Sequence, residues 1–105
     1  MLGAILHPAM PTFLIEHRWE ERRSEEAKSL VSKIVDMAAS EKLPSGYQLL
    51  SVVLNKDDRC AECVWEAPGR SELENLVDSM KPPTMHTLSE AQVVYGLEKV
   101  PARVA

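Results

Sequence analysis

The chain is poor in the residues that usually announce chemistry or a special architecture. Its 105 residues include two cysteines, four glycines and one phenylalanine, and aromatic side chains make up 5% of the total. Two cysteines spaced as Cys60-Ala61-Glu62-Cys63 do not build the disulfide framework of a small secreted domain, which distributes more cysteines along its length. The reading is a protein of the reducing cytoplasm. No stretch approaches the ~20 apolar residues needed to span a bilayer, and the apolar start from Met1 to Met10 lacks a basic leading segment. Neither a membrane nor a secretory signal is expected. A net charge of −4 repels phosphate backbones, and no Lys/Arg run or interleaved aromatic stripe offsets it, so nucleic acid is not an expected partner. No glycine-rich loop follows a strand pattern, and no glycine-flanked serine elbow occurs, which removes phosphate cradles and serine nucleophiles from consideration.

What is present is ordinary for a globular domain: 45% hydrophobic and 27% charged residues, both near the average. A chain of this length buries roughly two-thirds of its unfolded surface, enough for one core. Residues 1–10 read as an N-terminal extension, 11–96 as the domain and 97–105 as a polar tail. A truncation beginning at Met10 is expected to keep its melting temperature.

Thr12 to Trp19 alternates, with Phe13, Ile15, His17 and Trp19 opposite Leu14, Glu16 and Arg18, the period of a half-buried strand. Ser24 can cap a helix whose first turn holds Glu25 and Glu26. Ala27, Leu30, Val31, Ile34, Val35 and Ala38 then recur at the spacing of one helix face. Leu43-Pro44-Ser45-Gly46 stops that helix. Tyr47 to Leu54 and Arg59 to Glu66 read as paired strands around the turn Asn55-Lys56-Asp57-Asp58. Ser71 and Glu74 match a capping box ahead of the stripe Leu73, Leu76, Val77 and Met80. Lys81-Pro82-Pro83 ends this second helix, alternation over Ser89 to Tyr95 predicts the last strand, and His86 falls in the loop between them.

This order, βαββαβ, predicts an α+β, ferredoxin-like fold: a four-stranded antiparallel sheet with strands one and three central and both helices on one face. The other face is left bare. By the expected phase it carries Leu14, Leu50, Val52, Leu54, Val64 and Val94, and an exposed apolar patch of that kind marks an association surface. A homodimer is the expected partner.

Phe13-Leu14-Ile15-Glu16-His17, Leu43-Pro44-Ser45-Gly46-Tyr47 and the strand from Asp58-Arg59-Cys60 through Glu66 together resemble small ferredoxin-like families of the dimeric α+β-barrel superfamily. The resemblance covers Met10 to Tyr95. It implies two subunits paired sheet to sheet around a cavity, and its relatives include cofactor-free monooxygenases, isomerase-like enzymes and a small nickel-binding protein. It assigns no functional residue.

Two constellations carry candidate chemistry. In a strand, a three-residue separation points the Cys60 and Cys63 sulfurs to opposite faces, and no helix N-terminus lies beside them to stabilise a thiolate, so the pair is not a redox motif. The bland reading is a buried Cys63 beside Trp65 and a strand-end Cys60. Topology, however, places His17, Cys60 or Cys63, and the His86 to Glu90 segment at a common sheet edge, where thiolate, imidazole and carboxylate suit a transition metal such as zinc or nickel. The second constellation is Glu16, Glu62 and Glu90, expected in one alternation phase on three neighbouring strands with Arg18 and Gln92 nearby. These residues would look into the dimer cavity and bind a small ligand, or one of the three acids or His17 would supply the general base of a small cofactor-free enzyme, monooxygenase- or isomerase-like. The bland reading makes them rim positions paired with arginine. The expected function is thus a homodimeric domain binding a small ligand or metal ion at the inter-subunit cavity. The alternatives are that small enzyme, or an interaction module with no site.

Overall fold

The computed structural model describes residues 10–55, 57 and 59–95. The expected extension before Met10 and the tail after Tyr95 lie outside the described residues. Strand β1 spans Thr12–Arg18, and a single 3-10 turn at Glu21–Arg23 leads into helix α1, Ser24–Ala39. Strands β2 (Gln48–Asn55) and β3 (Cys60–Glu66) form the hairpin. Helix α2 covers Arg70–Ser79, and β4 covers Met85–Ala91. The sheet is four-stranded in the order β2-β3-β1-β4, with every neighbouring pair antiparallel. This is the ferredoxin-like arrangement expected from the element order. Among the described residues, no helix is long and apolar enough to cross a membrane.

The alternation of β1 decides which face is buried. Phe13, Ile15 and His17 point to one side, where they join Cys63 and Trp65 of β3, Leu30 and Ile34 of α1, and Leu73 and Val77 of α2. Both helices therefore cover the same sheet face. Trp65, Ile15, Ile34 and Leu73 are almost inaccessible, and each such side chain contributes about 1.5–3 kcal/mol through burial. Trp19 closes the end of this layer with Ala27 and Ala61.

The helix ends differ from expectation in instructive ways. Ser24 is the first residue of α1 rather than its cap, because Glu21–Arg23 already turns the chain. The first turn is tied by Arg23 donating to Glu26 at 2.8 Å. At the far end Glu41 adopts φ 59°, while Lys42 N–H reaches Met37 O and Glu41 N–H reaches Ala38 O. This is the Schellman pattern, here without the usual glycine. Gly46, with φ 92°, supplies the third position of a turn closed by Tyr47 N–H to Pro44 O, a position that a side chain tolerates poorly. The capping box expected of Ser71 and Glu74 does not form: Gly69 precedes α2 with no side-chain cap, and Glu74 is used elsewhere.

Two expectations about the sheet are corrected. The pairing of β2 with β3 shifts between Leu49 and Ser51. A bulge of this kind reverses the phase of the residues beyond it, so Val52 lies opposite Cys63 and packs on the core, and Leu54 lies opposite Ala61. Neither belongs to the uncovered face. The last strand is Met85–Ala91, not Ser89 to Tyr95, so Val94 lies past its end and is 90% exposed. The uncovered face is thus more polar than the sequence suggests. Leu14 and Val64 pair at its centre, and Val53, Glu16, Arg18, Cys60, Glu62, Thr87 and Met85 surround them.

Candidate functional site

The sheet brings the predicted site residues together in two places, on opposite faces. On the helix side, antiparallel pairing sets His17 of β1 directly against His86 of β4. Their rings stand 5.8 Å apart at 49°. His86 was expected in a loop and instead lies within β4, which is why the two imidazoles meet. His17 is 2% exposed, and burial, reinforced by the neighbouring His86, lowers its pKa from 6.5 to about 4. The ring is therefore neutral at physiological pH. Its Nδ1 lies 3.2 Å from Thr84 Oγ1, a contact that fixes the ring's orientation.

His86 faces α2. Its Nε2–H donates to Glu74 Oε2 at 3.0 Å. Asp78 follows Glu74 by one helical turn on the same side of α2, and ligand atoms of Glu74, Asp78 and His86 all lie within 4.8 Å of one another. Sequence reasoning took Glu74 for a cap and did not single out Asp78 or Thr84. The signal that would have found them is the i, i+4 acid pair on α2 followed, after a short connection, by a histidine on the adjoining strand.

The thiols do not join this group. Cys63 lies on the helix side but opposite Ile15, inside the apolar core, where burial pushes its pKa up to about 11. Cys60 lies on the uncovered face, opposite Arg18. Its thiol donates to Glu16 Oε2 at 3.7 Å, and burial raises its pKa as well. The two sulfurs face opposite sides of the sheet, as a three-residue separation requires. His17, His86, Cys60 and Cys63 therefore do not converge on one point.

On the uncovered face, Glu16 and Glu62 are cross-strand partners. Like charges directly opposite one another in a sheet are unfavourable unless something answers them. Arg18 answers Glu16, with Nη2 donating to Oε2 at 2.8 Å. Among the described residues Glu62 makes no ion pair. Glu90 does not share this face: it pairs with Phe13, which places it in the helix-side phase, and it is exposed at the sheet edge. Gln92 follows the end of β4 and is also exposed. The predicted cluster thus reduces to Glu16, Glu62 and Arg18, joined by Cys60.

No protein family, curated protein or solved structure matches the chain.

Proposed function

We propose that the chain is a small homodimeric domain of the reducing cytoplasm, in which two uncovered sheet faces enclose a pocket for a small organic ligand. The observation that carries this reading is the Glu16–Glu62 pair on a face that no described element of the same chain covers. A second copy placed sheet to sheet, about 10 Å away, would bury Leu14 and Val64. It would also bring a second Glu62 and a second Arg18–Glu16 pair to the same space. Two acids for each arginine leave that space negative, and Leu14, Val53, Val64 and Met85 give it apolar walls. A ligand with an ammonium group on an apolar body fits that chemistry. The same pocket would serve a cofactor-free proton-transfer enzyme, with Glu62 as the base. Glu62 suits this role better than Glu16, which already accepts hydrogen bonds from both Arg18 and Cys60.

Light scattering at micromolar concentration tests the assembly. The expected mass is about twice 11.7 kDa, and Leu14→Arg or Val64→Arg should return the monomer. A monomeric wild-type chain removes the pocket altogether. For the dimer, a panel of small organic amines should raise the melting temperature of the wild type and not of Glu62→Gln. Equal behaviour of the two proteins would refute the role given to Glu62.

A further inference from the structure

We propose that Glu74, Asp78 and His86 form a binding site for one divalent transition-metal ion of the zinc class, on the helix side of the sheet and away from the uncovered face. The three donors come from elements that the fold already holds in place. Glu74 and Asp78 stand one turn apart on α2, and the alternation of β4 turns His86 toward them. Like charges four residues apart on a helix are unfavourable by themselves. A cation between them reverses the sign of that interaction.

The spacing suits an ion. Metal–ligand bonds of about 2.0–2.2 Å in tetrahedral geometry set neighbouring ligand atoms about 3.5 Å apart. Glu74 Oε2 and His86 Nε2 are 3.0 Å apart, and the full set lies within 4.8 Å. Rotation of Asp78, which is exposed, closes the remaining ångström or so. An imidazole with two carboxylates selects a borderline ion such as zinc, nickel or cobalt. Calcium and magnesium prefer all-oxygen sites, and Cu(I) prefers sulfur.

A second, independent feature is the imidazole behind the first. His17 is almost completely inaccessible and packs against the His86 ring. Thr84 engages its Nδ1. Held by Thr84 and packed on the His86 ring, this buried imidazole limits the rotation of His86 and keeps it turned toward α2. Three protein donors leave a coordination position open, the pattern of an ion that exchanges or meets a further ligand rather than one that merely holds the fold. The site needs neither the inter-subunit pocket nor the dimer, so light scattering and metal binding can fail separately.

Calorimetric titration of zinc and of nickel into tag-free, chelator-treated protein tests the site. The expected result is one ion per chain, with affinity falling at least tenfold in His86→Asn and in the Glu74→Gln/Asp78→Asn pair. Cys60→Ser and Cys63→Ser should leave affinity unchanged. The acid-to-amide changes lie on partly exposed positions, so urea melts of the metal-free variants should confirm that they remain folded. No binding at micromolar metal, binding unchanged by the α2 substitutions, or binding lost with Cys60→Ser would each overturn the proposal.

Discussion

Replacing His17 with phenylalanine should flatten the pH dependence of stability on the acid side of neutrality. In the unfolded chain the imidazole titrates near 6.5, and in the folded chain burial beside His86 holds it at about 4. Between these values the unfolded state binds a proton that the native state refuses. Stability therefore falls as pH is lowered from about 6.5 toward 4, and this group contributes no slope above that window. Carried to pH 4.5, the linkage amounts to a loss of about 2–3 kcal/mol, a large part of the 5–15 kcal/mol typical of a domain.

Urea titrations followed by tryptophan fluorescence, on chelator-treated protein at pH 7.5 and 4.5, measure the effect. The groups facing His17 are His86 across the strand pair and Thr84 at Nδ1, with Glu74 beyond His86. These remain in the variant, as do the surface carboxylates, so their own titrations largely cancel in the comparison. His17→Phe should lose about 2–3 kcal/mol less than the wild type between the two pH values. Parallel losses would show that His17 is not buried neutral as described, and the packing of β1 against β4 would need revision.

Two further predictions test local geometry. Neither thiol should react quickly with an aromatic disulfide reagent at pH 8 in the folded protein, because Cys63 is inaccessible with a pKa of about 11 and Cys60 is 5% exposed with a raised pKa. Diamide should yield no Cys60–Cys63 disulfide by mass spectrometry, since the sulfurs lie on opposite faces, and finding that bond would contradict the strand assignment. Glu41→Gly should stabilise the protein by about 1 kcal/mol, because φ 59° at the end of α1 suits glycine and strains a residue with a Cβ. A lower urea midpoint for this variant would refute the cap.

The sequence carried the plan of the fold because its strongest periodicities fall on the most buried elements. Phe13, Ile15 and His17 alternate cleanly, and Leu30, Ile34, Leu73 and Val77 mark the helix faces that reach the core. The failures fall where burial is weak. In β4, a sheet-edge strand, Leu88 alone packs on the core cluster, so the apolar residues around Val93 and Tyr95 offered a more conspicuous alternation than the true strand. The bulge after Leu49 has no glycine or proline to announce it, and every β2 residue beyond it changed face. Glu74 fitted a capping box by spacing. Helix α2 begins without a side-chain cap, and a histidine that the misplaced strand had left in a loop engages the carboxylate instead.

That displaced strand also explains why the candidate chemistry divides in two. With β4 beginning at Met85, His86 rather than Glu90 stands beside the end of β1. The acid expected to complete a three-carboxylate cluster goes to the helix-side phase, and the imidazole expected in a loop joins the sheet. Glu16 and His17, neighbours in the chain, then face opposite sides of the sheet. One belongs to a charged surface that a second subunit can cover, and the other to a buried wall behind α2. The pleat of a single strand keeps these environments apart by the thickness of the sheet. A side-chain change at Glu16 therefore makes no direct contact with the His86 site, whereas a change at His17 reaches it through ring contact. Sequence proximity misleads about coupling here, and cross-strand register predicts it.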